Sequence, residues 1–425
     1  MINAYGRVAK SAGRIYMKKI IWAILAAVIL VLAVWGWVAF KNPSTPGRAG
    51  ADPESQNKIK IVTSYPMGYG SGRLVVDAVN LAFEQIGYKV GKYSIELVSL
   101  DDGDKIGAWQ EDMEEKNARI AAEDPDVMAY IGPFNSGAAK VSMPILNRAG
   151  ITQISIGNTW PGLTKSGFAP GEPGIFYPTG IRHYFRIMTT DDLQGPAGAV
   201  WAEELGFKKI YIIDDGEVYG KGIADLFHNK AIKLGLQILD HRTIDKKSSD
   251  FRELILGIKK LKPDLIYYGG VTPNGITYFL PQMHELGLKT STMGPDGIME
   301  QDFIDRTGPE YTEGVMATTV GVDARNIGTP GAEKFYNVFF AKYEKDPGAY
   351  GAFAYEAAKA LIRAIAITGQ KNRAAILDNF RNIKYSDGVL ESWNFDQNGD
   401  TTLKIISGSK VINGKFETVK KFQVN

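Results

Sequence analysis

The sequence predicts an α/β protein that folds into two successive domains, each built on a doubly wound parallel sheet. From residue 58 onward, short apolar runs that end in small or polar residues alternate with segments of helical periodicity. This is the pattern of parallel strands and their connecting helices. The pattern restarts near residue 208, and 425 residues exceed what one hydrophobic core usually organises. We therefore expect two α/β domains behind a separate N-terminal segment.

The first 51 residues differ in charge from the rest of the chain. They contain seven Lys or Arg residues and no Asp or Glu, which leaves 42 basic and 47 acidic residues after them. The body therefore has a net charge of −5, although the whole chain has +2. A mildly acidic body argues against nucleic acid as a partner. The absence of Cys excludes a disulfide framework and a lipid-modified cysteine.

Residues 20–40 form an uncharged apolar segment that comes after a basic segment, residues 1–19. This order predicts a transmembrane segment with a cytoplasmic N-terminus, so that the body lies on the periplasmic or extracellular face of the cell membrane. We expect an uncleaved signal anchor; the alternative is a signal peptide cleaved near the Ala-x-Ala match at 49–51. Met17 is an alternative start of the chain. Residues 41–57, rich in Pro, Gly and Ser, are predicted to be a linker.

The first domain is predicted to begin with strand 58–64, a glycine-rich loop and helix 74–86. The loop lacks the glycine spacing of a dinucleotide-binding turn, so a nucleotide site is not expected. Its glycines instead allow Tyr65 and Tyr69 to reach over a crevice. The next predicted elements are strand 94–100 and helix 108–123.

Residues 126–163 are the stretch around which this domain is organised. Two apolar runs, 127–131 and 151–156, are predicted strands, and the helical segment 137–148 between them completes a β-α-β unit. Parallel strands joined in this way end at the same edge of a sheet. The loops after the two strands are therefore expected to lie on one side of the domain.

Small polar residues come after both strands: Asn135-Ser136-Gly137 after the first, and Gly157-Asn158-Thr159 after the second. Ligands of open parallel sheets bind beyond the carboxyl ends of the strands, so the two loops are predicted to face one site. Ser136 also lies where a helix N-cap would be, and helix N-termini favour anions. Two ordinary strand-to-helix caps are the alternative interpretation of these residues.

An insert with four glycines and three prolines, 165–183, is predicted to be a surface excursion near the mouth of the site. The second domain then repeats the alternation of strands and helices, and Tyr219, Val271 and Asp296 fall at its strand ends. A hairpin-like segment, 390–406, is predicted near the end of the chain. Further predicted strands are 209–213, 236–240, 265–268 and 315–320, and further predicted helices are 222–234, 250–260, 276–286, 333–343, 353–368 and 370–383.

The sequence carries no pattern typical of an enzyme or of a metal site. Its four histidines, His183, His228, His241 and His284, have no partner at metal-binding spacing. A nucleophile elbow and a P-loop are absent from the sequence. The acidic pairs at 101–102, 191–192 and 214–215 are interpreted as solvated caps. We therefore expect no enzymatic activity, no cofactor and no bound metal.

Six motifs, in this order, resemble those of the leucine/isoleucine/valine-binding proteins: YIGPFNSG, QISIGNTWPGLT, DDLQGPA, DDGEVYGKG, PDLIYYGG and TMGPDG. These are type I periplasmic solute-binding components of ATP-driven (ABC) importers. The resemblance implies two lobes joined by three crossovers, near Thr189, Val320 and Leu390. The lobe boundaries are then 58–188 with 321–389 for the N-terminal lobe, and 189–320 with 390–425 for the C-terminal lobe.

The resemblance also implies how a ligand would be held. Ser136 and Thr159 match positions that bind an amino acid's carboxylate, whereas the Gly157 carbonyl and Asp296 match positions that face its ammonium. Tyr69 and Tyr219 match aromatic positions that close over the ligand, and Asn158 lies between two of the matched loop residues. Val271 replaces a tyrosine of the leucine-binding members, and Asp296 is shorter than the usual Glu, so the side chain of the ligand stays open.

The resemblance therefore implies a non-enzymatic, exported protein that captures a branched-chain-like amino acid, or a related small amide, between two lobes. Its expected partners are that small-molecule ligand, an inner-membrane ABC permease and the membrane itself through the N-terminal segment. A membrane-anchored ligand sensor that uses the same cleft is one alternative. An exported α/β enzyme is another, although it would need a nucleophile and base that the sequence does not offer.

Overall fold

Two sheets organise the part of the chain that this computed structural model describes, residues 57–68, 70–321, 323–386 and 388–423. The strands of the first sheet are β1 (Lys58–Tyr65), β2 (Lys89–Val90), β3 (Tyr93–Asp101), β4 (Val127–Ile131), β5 (Thr152–Ser155) and β6 (Tyr184–Arg186). Their order is β2-β3-β1-β4-β5-β6, and every neighbouring pair except β2-β3 is parallel.

The second sheet is parallel over most of its width. Its strands are β7 (Lys209–Asp214), β8 (Gln237–Thr243), β9 (Leu265–Gly269), β10 (Ser291–Gly294), β11 (Met316–Thr319), β14 (Ile406–Ile412) and β15 (Lys415–Phe422). Strands β12 (Lys384–Tyr385) and β13 (Trp393–Asn394) form a separate two-stranded sheet. The strand order of the second sheet is β15-β14-β11-β10-β9-β7-β8, with β14 and β15 added antiparallel at one edge. The predicted α/β class with parallel sheets is confirmed.

Helices connect most of these strands. They are α1 (Gly70–Glu84), α2 (Glu111–Glu123), α3 (Ser136–Ala149), α4 (Asp191–Glu204), α5 (Val218–Lys233), α6 (Arg252–Leu261), α7 (Ile276–Glu285), α8 (Gln301–Thr307), α9 (Pro309–Thr312), α10 (Ala324–Ile327), α11 (Pro330–Tyr343), α12 (Gly348–Thr368) and α13 (Arg373–Arg381). The prediction started α1 and α12 several residues late. Both begin in glycine-containing sequence, and their packing against each other outweighs the low helix propensity of glycine.

The β4-α3-β5 unit forms as the sequence predicts. Strand β4 is buried along its whole length, and it pairs in parallel with both β1 and β5. Helix α3 ends at Gly150, which adopts the left-handed conformation with φ of 67°. The loops after β4 and β5 therefore lie at the same edge of the first sheet, where the candidate residues were expected.

The chain passes between the two sheets more than once within the described residues. It leaves the first sheet after β6. It returns to the side of the first sheet after β11, as the packing of α12 against α1 shows. It enters the second sheet again with β14. The crossovers near Thr189, Val320 and Leu390 stay a prediction. The residues at which each lobe begins and ends stay a prediction.

The segment 165–183 is anchored on the first sheet and is not only a surface excursion. Its buried Phe176 and Tyr177 pack in one cluster with Met143 of α3 and Tyr184 of β6. The carboxylate of Glu172 accepts a hydrogen bond from Trp160 Nε1 at 2.9 Å and lies 2.6 Å from Lys140 Nζ. The insert therefore packs against the loop after β5 and stabilises its position.

The C-terminal region differs from the prediction. The turn at 396–400 closes only a single antiparallel bridge between Phe395 and Thr401, which is shorter than the predicted hairpin. The long hairpin is formed by β14 and β15, which the prediction missed. Its turn is Asn413-Gly414, and both residues have positive φ, as a tight two-residue hairpin turn requires.

The predicted basic segment 1–19, the predicted apolar segment 20–40 and all but the last residue of the predicted linker 41–57 lie outside the described residues. Within the described residues, no helix combines the length and the apolar character needed to cross a bilayer.

Candidate functional site

Two small adjoining cavities lie where loops from the carboxyl ends of both sheets meet. Both are lined by Asn135, Ser136, Tyr219 and Val271. The first cavity is completed by Phe134, Gly157, Asp296, Gly297 and Tyr350. The second is completed by Trp109, Gly137, Asp215, Glu217 and Asn274. The structure thus brings together five of the predicted site residues: Ser136, Gly157, Tyr219, Val271 and Asp296.

Ser136 is the first residue of α3 and is buried. Its Oγ accepts a hydrogen bond from the backbone N of Trp160 at 3.2 Å, so the hydroxyl proton remains free to be donated. The first turn of a helix also presents backbone N–H groups that have no partner within the helix. This corner of the first cavity is therefore suited to an anion.

Two glycines form walls of the first cavity with backbone alone. A Cβ at Gly157 would lie 2.9 Å from Cδ2 of Phe134, and a Cβ at Gly297 would lie 2.5 Å from the carbonyl oxygen of Gly270. Neither position has room for a side chain. Their peptide groups are consequently close to whatever occupies the cavity.

Asp296 carries the carboxylate of the first cavity. It lies in a short 3₁₀ turn after β10 and is 2% exposed. Tyr219 donates its hydroxyl to Oδ1 at 2.6 Å, and Tyr350 donates to Oδ2 at 2.8 Å. Burial raises the pKa of Asp296, and the hydrogen bonds from the two tyrosines oppose that shift. Each carboxylate oxygen has more than one lone pair, so both can accept a further donor.

Tyr350 reaches this site from α12, and no sequence motif indicated it. The ring of Tyr350 packs edge-on against Phe134 with the ring centroids 5.0 Å apart. Because the prediction began this helix at residue 353, Tyr350 fell in a loop of unassigned role. A long-range contact between residues 296 and 350 leaves no periodic trace in a single sequence.

Asn158 points into the first sheet's own loops and supports the site from behind. Its Nδ2 donates to the carbonyl oxygens of Pro133 at 3.0 Å and Phe134 at 2.8 Å. Its Oδ1 accepts from the Tyr184 hydroxyl at 3.0 Å. These bonds tie the loop after β5 to the loop after β4, which fixes the shape of the cavity wall.

Thr159 lies beside a second buried carboxyl group, Asp191. The hydroxyl of Thr159 and both carboxyl oxygens of Asp191 are buried and have no partner at hydrogen-bond geometry among the described residues. The pKa of Asp191 is raised well above its usual value by burial and then by Asp296, and the nearby Thr159 hydroxyl lowers it in part. The Thr159 side chain is therefore directed at Asp191, and it is not among the residues that line the two cavities.

A buried arginine holds the loop that contains these residues. Arg186 of β6 is fully buried, and its Nε donates to Oδ1 of Asp400 at 2.6 Å. Its Nη1 donates to the carbonyl oxygens of Trp160 at 2.8 Å and Asn158 at 3.2 Å. The loop after β5 is thus pinned to a turn that lies more than 200 residues further along the chain.

Side chains also join the two walls of the cleft directly. Trp109 Nε1 donates to Oε2 of Glu217 at 3.2 Å, and Ser71 Oγ donates to Oε2 of Glu300 at 2.5 Å. Arg306 donates to the carbonyl oxygen of Gly68 at 2.8 Å. The walls are therefore in contact around the cavities. Tyr69, predicted to close over the ligand, lies outside the described residues.

Comparison with known proteins gives relatives for most of the chain. A Leu/Ile/Val-binding protein homolog 1 from Brucella suis biovar 1 is 27% identical over 330 residues, which are 77% of this chain and 83% of that protein. The crystal structure of the leucine binding protein LivK from Thermotoga maritima is 27% identical, with a TM-score of 0.75 over 85% of this chain and 98% of that one. LivJ from Streptococcus pneumoniae, solved with isoleucine, has 23% identity and shares the fold with a TM-score of 0.74, over 85% of this chain and 99% of that one.

The family model described as periplasmic binding protein matches residues 63–404. This match covers strands β2 to β13 and every candidate site residue that the structure describes. It agrees with the resemblance that the six sequence motifs indicated. The chain therefore belongs to the periplasmic binding protein family, among relatives of the Leu/Ile/Val-binding proteins.

Proposed function

We propose that this protein captures an amino acid as a zwitterion in the first cavity and delivers it to an ABC permease. The observation that carries the proposal is that Asp296 and the first residue of α3, Ser136, line the same cavity. A buried charge is costly unless it is paired. A zwitterion brings both charges that these two groups match.

The chemistry of each wall divides the roles. The ligand's carboxylate accepts from the Ser136 hydroxyl, from the first-turn N–H groups of α3 and, once its side chain turns away from Asp191, from the Thr159 hydroxyl. The ammonium donates to Asp296 and to the Gly157 carbonyl. Tyr219 covers the ligand, and Tyr69 is proposed to do the same from the other side. Val271 borders the side chain, which is branched-chain-like or that of a small amide.

The proposed lobes are residues 58–188 with 321–389, and residues 189–320 with 390–425. Ser136 and Gly157 belong to the first lobe, and Asp296 and Tyr219 to the second. Binding then couples the two lobes, because neither one meets both charges of the ligand. The chain is proposed to act on the outer face of the membrane, held there by residues 20–40.

A thermal-shift panel of amino acids, small amides and organic acids on the full-length protein tests the proposal. A ligand present at a hundred times its Kd stabilises the folded state by roughly 2.7 kcal/mol, which is readily measured. We expect aliphatic amino acids or their small relatives to give the largest shifts. Stabilisation by organic acids that lack an ammonium group, without any response to amino acids, would contradict it.

A further inference from the structure

His228 and His241, which look isolated in the sequence, lie side by side in the structure. His228 is on α5 and His241 is on β8, the edge strand of the second sheet. The two Nδ1 atoms are 3.0 Å apart. We propose that His228 and His241 bind a divalent transition-metal ion such as Ni²⁺, Cu²⁺ or Zn²⁺.

The two nitrogens are close enough to share one ion once both rings turn, because at a ring-centroid separation of 5.2 Å they point at each other along a hydrogen bond. Metal–imidazole bonds are about 2.0–2.1 Å long, so two nitrogens 3.0 Å apart subtend about 95° at the ion. An angle near 90° is that of neighbouring ligands in the tetragonal geometry of Cu²⁺ and Ni²⁺. A small outward shift of the rings would give the wider angle of tetrahedral Zn²⁺.

The carboxylate of Asp214 orients the His241 ring and determines which of its nitrogens carries the proton. Nε2 of His241 lies 3.0 Å from Oδ2 of Asp214, a side chain that is 1% exposed. Asp214 is held in turn by the Thr243 hydroxyl at 3.0 Å and by the backbone N of Gly216 at 2.9 Å. The acceptor carboxylate assigns the proton of His241 to Nε2, which leaves Nδ1 with its lone pair. Metal-binding histidines usually have such a carboxylate behind them.

The hydrogen between the two Nδ1 atoms then belongs to His228. An entering ion replaces this hydrogen. If the His228 ring is neutral, its proton moves from Nδ1 to Nε2 through the solvent. If the ring is doubly protonated, it releases the Nδ1 proton to the solvent and keeps the proton on Nε2. In both cases the Nδ1 atoms of His228 and His241 end with a free lone pair each, on neutral rings, and both can bind the same cation. No oxidant or further reactant is needed.

Asp225 is the nearest further ligand. It lies three residues before His228 on α5, and its Oδ1 is 3.8 Å from Nδ1 of His241. In the absence of an ion it pairs with Lys221, whose Nζ is 2.8 Å from Oδ2. Among the described residues no three ligand side chains already converge on one point. The site is therefore a two-histidine site, with Asp225 as a third ligand only after it turns from Lys221.

Calorimetric titration with Ni²⁺ tests the site on the full-length protein carrying no polyhistidine tag. We expect one ion per chain with a Kd in the micromolar range. His228→Ala and His241→Ala should each weaken binding at least ten-fold, whereas His284→Ala, at an exposed position on α7, should leave it unchanged. Asp214→Asn should weaken binding by about ten-fold, because it removes the carboxylate charge that orients the ring and raises its basicity.

Electron paramagnetic resonance of the Cu²⁺-loaded protein distinguishes direct ligation from an effect on folding. The wild type should show hyperfine splitting from two imidazole nitrogens, and each His→Ala variant should show one or none. Asp214→Asn should retain two. Undiminished Ni²⁺ binding by the double variant His228→Ala/His241→Ala, or no binding by the wild type at millimolar Ni²⁺, would overturn the proposal.

Discussion

At the scale of single residues, we propose that Asp296 selects the charge of the ligand that the cavity accepts. Its carboxylate is buried and its hydrogen-bond partners Tyr219 and Tyr350 are neutral, so a positive charge from the ligand is the natural counterion. Asp296→Asn should weaken amino-acid binding by about 30-fold or more, since truncating one side of a buried charge pair costs about 2–5 kcal/mol. Calorimetry on the variant measures this loss.

Asp305→Asn, the same change at an exposed residue of α8, is the matched control and should bind as the wild type does. Unchanged affinity in Asp296→Asn would mean that no ammonium is held there. A neutral amide or an organic acid would then be the better ligand class.

A second buried acid makes stability depend on pH. Burial raises the pKa of Asp102 to about 7, with a further contribution from Asp101, and its carboxyl oxygens have no hydrogen-bond partner among the described residues. In the unfolded chain the pKa is about 3.9. Between these two pH values the folded state holds a proton that the unfolded state has lost. The contribution of Asp102 to the free energy of unfolding therefore falls as the pH rises from about 4 to about 7.

Asp102→Asn should consequently gain stability relative to the wild type when the pH is raised from about 4 to about 8. Urea denaturation at the two pH values measures the difference. For Asp305→Asn, a change at an exposed acid, the difference from wild type in the free energy of unfolding should be the same at both pH values. The same result for Asp102→Asn would show that the group is not a buried acid with a raised pKa.

At the scale of elements, strands and helices with a periodic apolar pattern could be predicted from the sequence, whereas contacts between residues far apart in the chain could not. The β4-α3-β5 unit and its two polar loops were predictable, because buried strands and an amphipathic helix leave periodic patterns. Tyr350 and Trp109 carry no such pattern, since their partners Asp296 and Glu217 are remote in the chain. The β14-β15 hairpin did carry a signal, the Asn413-Gly414 turn, which the prediction did not use.

Helix α12 is predicted to support ligand binding through Tyr350. Tyr350→Phe removes one donor to the Asp296 carboxylate, so we expect about ten-fold weaker binding and a loss of about 1 kcal/mol in stability. Tyr355→Phe on the same helix is the control, because its hydroxyl donates to Gln85 at 2.5 Å, away from the cavity lining. The control should lose stability without losing affinity. Equal effects of the two variants on affinity would argue against a direct role for Tyr350.

At the scale of the whole molecule, the cleft should open and close. The contacts of Trp109 with Glu217 and of Arg306 with Gly68 join walls that the ligand must part to enter. We expect small-angle scattering to show a smaller radius of gyration at saturating ligand than without it, as in hinge closure around a ligand. An unchanged radius of gyration would contradict closure by the proposed lobes.

The proposed anchor is also a property of the whole chain. Intact-mass measurement of the native protein should find residues 20–40 still attached, because the apolar segment is longer than that of an ordinary cleaved signal. A mature N-terminus at or near Asp52 in a soluble fraction would show instead that the segment is removed.

The bond between Arg186 and Asp400 has a consequence for the newly made chain. Until Asp400 has been synthesised, the guanidinium of Arg186 has no carboxylate to pair with in its buried position, and an unpaired buried charge costs several kcal/mol. We therefore expect the loop after β5 to reach its final position only once the segment that contains Asp400 has joined the fold. If the chain is exported unfolded, as proposed, this bond would keep the candidate site from forming until residues far apart in the chain have both emerged on the other side of the membrane.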